Sequence, residues 1–129
     1  MNKHFKFCFL IFTVAFSSSI LAQYVGRYTE KNRIIFDTLL DKLTSNKFIV
    51  DTSRTYITAI DQQGKILWRT NPILDNKLEK YQTDKPTIIH FAFNNNPTKT
   101  KEVIWISYSN TQFGYIDKGS GKFTFRGQD

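Results

Sequence analysis

The stretch that decides the fold is residues 55–72, Thr55-Tyr-Ile-Thr-Ala-Ile-Asp61-Gln-Gln-Gly64-Lys-Ile-Leu-Trp68-Arg-Thr-Asn71-Pro72. β-Branched and aromatic residues fill both arms, and Asp61 and Gly64 supply a turn between them. Two strands joined by a tight turn are expected, the second stopping at Asn71-Pro72 because proline cannot continue a central strand. Asn71 is also a good helix cap, and Pro72 suits a first helical position, where its missing N–H would be unpaired anyway. A short inserted helix of two to three turns should follow, with Leu74, Leu78 and Tyr81 on one face.

Upstream, residues 28–45 place Ile35, Phe36, Leu39, Leu40 and Leu43 at intervals of three and four, with Thr29 as a cap and Lys31, Asp37, Asp41 and Lys42 opposite. That pattern predicts an amphipathic N-terminal helix lying across a sheet, with Asn46 as its left-handed stop. Phe48-Ile49-Val50 is either a strand of its own or the start of one long strand that enters the hairpin through a bulge.

Downstream, residues 87–93 alternate Ile89, Phe91 and Phe93 against Ile88, His90 and Ala92. Residues 103–109 alternate Ile104, Ile106 and Tyr108 against Val103, Trp105 and Ser107, and residues 113–126 read as a closing hairpin around Lys118-Gly119-Ser120-Gly121. The expected fold class is α+β: a single antiparallel sheet of about five to seven strands with an N-terminal helix and a short inserted helix. Several strands are apolar on both faces, so the second face of that sheet packs against a further element or is a binding surface.

The hairpin has an echo. Ile60-Asp61 and Gly64-Lys65 reappear as Ile116-Asp117 and Gly121-Lys122, each followed by an apolar pair and an arginine, with one extra turn residue in the second copy. Such hairpins resemble those in blades of quinoprotein-type β-propellers. A propeller needs at least four blades of about forty residues, and the chain has room for at most two. The echo is therefore read as two hairpins using one turn solution.

Lys3 and Lys6 precede an apolar run over residues 7–16, and Ser17-Ser18-Ser19-Ile20-Leu21-Ala22 ends on a small residue. This is the layout of a secretory signal peptide over residues 1–22, with a retained anchor as the alternative; the run is shorter than the roughly 20 residues a spanning helix needs. Residues 23–129 then form one α+β domain, exported to a periplasmic or extracellular location. The formal charge of +7 falls to +5 once Lys3 and Lys6 leave, and the charges are spread without runs, which argues against a nucleic-acid footprint. Cys8, the one cysteine, leaves as well, so packing alone must hold the domain.

Little in the remainder points to catalysis or to a cofactor. His90 is the only histidine after residue 22, too few for a dedicated metal site, and no nucleophile elbow or phosphate-cradling loop is present. Asp61 and Asp117 stand where an Asp side chain bonds its own turn. The aromatic residues are more informative, because Tyr and Trp combine apolar area with a polar tip and serve pockets and contact surfaces.

Taken with the order of elements, the hairpin Ile57-Thr58-Ala59-Ile60-Asp61-Gln62-Gln63-Gly64-Lys65-Ile66-Leu67-Trp68 and the following Asn71-Pro72 resemble PAS-like domains, especially extracytoplasmic Cache sensors. The resemblance implies a five-stranded antiparallel sheet in the order 2-1-5-4-3, with a pocket between the sheet and the helical insert. It also implies that aromatic and basic residues hold a small carboxylate there; Trp68, Arg69 and Tyr108 are the matching types.

The functional expectation is an exported, non-enzymatic binding module that recognises a small ligand or an envelope protein through Trp68, Arg69 and Tyr108, without cofactor, metal or nucleic acid. An inhibitor or immunity protein that blocks a toxin or hydrolase is the competing class. A self-associating structural subunit, paired as a homodimer through the second sheet face, is the third.

Overall fold

The computed structural model describes residues 37–129, and these form two four-stranded antiparallel sheets. The first contains β1 (Thr38–Leu40), β2 (Lys47–Val50), β3 (Ile57–Ile60) and β4 (Ile66–Thr70), in sequence order. A one-turn helix, α1 (Pro72–Asp75), lies on the connection to the second sheet: β5 (Ile88–Asn95), β6 (Glu102–Tyr108), β7 (Phe113–Ile116) and β8 (Phe123–Gly127).

The turns explain why each meander folds as it does. At the β1–β2 and β5–β6 turns, the N–H groups of Asp41 and Asn96 donate to Asn46 O and Lys101 O, each at 2.9 Å. The same two side chains accept from the turn backbone, Asp41 from Leu43 N at 3.0 Å and Asn96 from Thr100 N at 2.9 Å. The β3–β4 and β7–β8 turns repeat the device. Asp61 N donates to Lys65 O and Asp117 N to Lys122 O, and Gly64 and Gly121 take the left-handed backbone at φ +84° and +74°. Asx side chains that satisfy their own turns leave few conformations for the connections, which fixes the register of every hairpin.

One core lies between the sheets. Phe48, Val50, Ile57 and Ala59 come from the first, and Phe91, Ile104, Ile106, Tyr108, Ile116 and Phe123 from the second. Phe48 is wholly buried, with Trp68 stacked at 5.7 Å and Phe93 edge-on at 5.9 Å. Lys118 of the β7–β8 turn ties the layers at one end, reaching Asp41 Oδ2 at 2.9 Å and Glu102 Oε1 at 3.0 Å.

The expected α+β fold, with one sheet and an N-terminal helix, is corrected on both counts. Of the proposed helix over residues 28–45, the described part is strand and turn. Leu39 pairs with Phe48 across the β1–β2 ladder, Ser45 takes φ +60°, and Leu43 is 92% exposed, so no helical stripe forms there. The rest of that segment and the proposed signal peptide over residues 1–22 lie outside the described residues.

The second sheet face that needed a partner finds it in another sheet, so the order 2-1-5-4-3 implied by the PAS resemblance is replaced by two meanders. The inserted helix keeps its cap, with Leu74 N donating to Asn71 Oδ1 at 3.3 Å, but it lasts a single turn. Phe48-Ile49-Val50 belongs to a separate strand, and a bulge at Ile88/His90 lets Ile88 join Phe91 in the core.

Candidate functional site

The exit of the opening hairpin forms a cleft with the turn that echoes it. β4 contributes Trp68, Arg69 and Thr70, the α1 end contributes Asp75 and Asn76, and the β7–β8 turn and the start of β8 contribute Ser120, Gly121, Lys122 and Phe123. The volume is about 270 Å³, at the lower margin of small-molecule sites, and the cleft is open to solvent.

Trp68 is its fixed wall. One side of the indole stacks on Phe48, and Nε1 donates to Lys118 O at 2.9 Å. Gly121 permits this seating, since a Cβ there would stand 2.6 Å from Trp68 Cδ2. A rigid aromatic wall with its polar atom already satisfied offers apolar area at small entropic cost.

The charges around the wall differ in how far they are committed. Asp75 is held by the chain itself, accepting from Thr70 Oγ1 at 2.8 Å and from Asn71 N at 3.1 Å. Arg69 and Lys122 are exposed and make no ion pair among the described residues. The Arg69 guanidinium lies 4.3 Å from the centre of the Tyr56 ring, a cation–π contact that orients it without neutralising it. Its charge also acts on Asp51. Burial raises the pKa of that carboxyl, but bonds from Ser53, Thr55 N and Tyr56 N, together with Arg69, bring it below the ordinary range.

The expected trio is thus divided. Trp68 and Arg69 border one cleft, whereas Tyr108 is 1% exposed in the core and does not line it. Its hydroxyl has no hydrogen-bond partner among the described residues. Burial, and then the Asp75 carboxylate, push the phenol above its ordinary pKa, so it stays neutral. Lys122, Asp75 and Asn76 were missed. The echo of Gly64-Lys65 in Gly121-Lys122 was the signal for Lys122; nothing local marks the other two.

No three His, Cys, Asp or Glu side chains are grouped to hold a metal among the described residues, and His90 is exposed on β5. No helix there is long and apolar enough to cross a membrane. Compared with family models, curated proteins and solved structures, the chain has no significant match.

Proposed function

We propose that this protein is an exported, non-enzymatic binding module that takes a small ligand with an anionic group in the Trp68 cleft. The carrying observation is that Arg69 and Lys122, exposed and unpaired among the described residues, border a rigid indole wall. An aromatic wall covers an apolar body and Lys122 at its rim meets a carboxylate, while the Arg69 guanidinium, alternating with Trp68 along β4 and lying on Tyr56, adds positive charge from the other face of the strand. The small volume suits a ligand of modest size. Export rests on the pattern of residues 1–22.

The test is a 15N-labelled amide titration with a panel of small aliphatic and aromatic carboxylates and their uncharged amides. Shifts confined to Trp68, Arg69 and residues 120–123, lost in Arg69→Ala and Lys122→Ala with the fold intact, are expected. Equal response to acids and amides, or shifts elsewhere, would overturn the reading.

A further inference from the structure

The echo of one hairpin extends to whole sheets once the ladder registers are followed. Ile60-Asp61 and Ile116-Asp117 fix the correspondence. From there, the row Ala59, Phe48, Leu39 of the first sheet falls on Tyr115, Trp105, Ala92 of the second. The neighbouring row Ile60, Lys47, Leu40 falls on Ile116, Ile104, Phe93. Trp105 therefore stands where Phe48 stands, and Ile104 where Lys47 stands.

The two sheets nevertheless bury opposite rows. Phe48 and Ala59 face the core in the first, whereas Ile104 and Ile116 do so in the second. A two-fold pairing of repeats would have used the same row twice; this stack is head to tail. Each end consequently carries the counterpart of a face that is already packed inside the chain; on the second sheet Trp105 and Tyr115 are partly exposed there, and Val103 beside them is buried. On the second sheet that face holds Trp105 and Tyr115, in contact at 5.2 Å between ring centres. On the first sheet it holds Leu40, Ile60 and Ile66, with Leu40 52% and Ile66 61% exposed.

We propose that the Trp105–Tyr115 face receives the Leu40–Ile66 face of a second copy of this chain, which continues the internal stack across the junction. A head-to-tail interface closes into a ring when its rotation allows. Rings of four to eight four-stranded sheets correspond to about two to four copies. The Trp68 wall faces the inside of one chain, whereas Arg69, paired with Thr58, stands on the same outer face of the first sheet as Ile60 and Ile66.

Sedimentation velocity on the full chain should give a species of two to four times the chain mass. Trp105→Asp and Ile66→Asp should each yield monomer, with Tyr115→Glu and Leu40→Asp as second variants should either first one misfold by circular dichroism. Mixing the Trp105 and Ile66 variants should restore a dimer and nothing larger, because one intact junction remains between them. A monomeric full chain, as when the chain's own N-terminal residues cover the face, would overturn the proposal. So would association abolished from one face only, or a mixture that stays monomeric.

Discussion

Gly121 and Gly64 occupy corresponding turns with nearly the same backbone, φ +74° and +84°, but different surroundings. A Cβ at Gly64 meets nothing within 4 Å, whereas one at Gly121 would lie 2.6 Å from Trp68 Cδ2 and 2.9 Å from Cγ and Cε3. Alanine at either position must adopt a left-handed conformation, which costs about 1 kcal/mol. At Gly121 the indole must also move, and it is held by Phe48 and by its bond to Lys118 O. Displacing a packed side chain adds about 1–3 kcal/mol. Gly64→Ala should therefore lose about 1 kcal/mol and Gly121→Ala about 2–4 kcal/mol.

Removing the indole isolates the second contribution. In a Trp68→Ala background, Gly121→Ala should fall back to about 1 kcal/mol, a coupling of about 1–3 kcal/mol in a double-mutant cycle. Urea titrations followed by far-UV circular dichroism, with unchanged slopes, give all four values. Equal losses at Gly64 and Gly121, or zero coupling, would mean that Trp68 is not seated on the turn, and the cleft would lose its wall.

The remaining predictions concern charge and burial. Hydrogen bonding by Lys101, set against some burial and reinforced by Ser120, brings Asp117 to about 2 from 3.8, so its contribution is complete above about pH 4 and lost as pH falls through about 2. With Lys101 57% exposed, that contribution is about 1–2 kcal/mol, and Asp117→Asn should flatten the acid limb of a stability-against-pH curve by that amount. Lys118→Met should cost about 1–3 kcal/mol, because it strands the Asp41 carboxylate, whose side chain is 6% exposed; chemical denaturation at pH 7 checks this, and a neutral result refutes the tie between layers. Tyr108→Phe removes a hydroxyl that has no partner among the described residues, so stability should be unchanged or raised by up to about 1 kcal/mol; a clear fall in Tm would show that the hydroxyl is bonded.

What was legible in the sequence was local chemistry. Asp61, Gly64, Asn71 and Pro72 each have one inexpensive backbone role, and all four fill it. The segment around residues 37–46 misled because Leu39, Leu40 and Leu43 satisfy a helical period over too short a run to decide. Asp41, Thr44, Ser45 and Asn46 favour turns, and there they outweigh the period. In the cleft, Trp68 and Arg69 came from a strand exit that could be read directly. Tyr108 was misplaced because its row with Ile104 and Ile106 faces a second sheet, a partner that alternation alone cannot specify.

The repeat was hidden for a related physical reason. Sequence similarity between repeats survives where both copies face the same environment, and in a head-to-tail stack of two they do not. Phe48 is buried where Trp105 is partly buried, and Ile104 is buried where Lys47 meets solvent. Only the turns keep one backbone conformation in both copies, so only Ile-Asp and Gly-Lys remain visible. If a second copy covers both outer faces, the correspondence becomes an equivalence of environment too. Lys47→Ile, which gives the first sheet the residue that its counterpart buries, should then strengthen association, whereas an interface built on the Trp105 face alone would be indifferent to it.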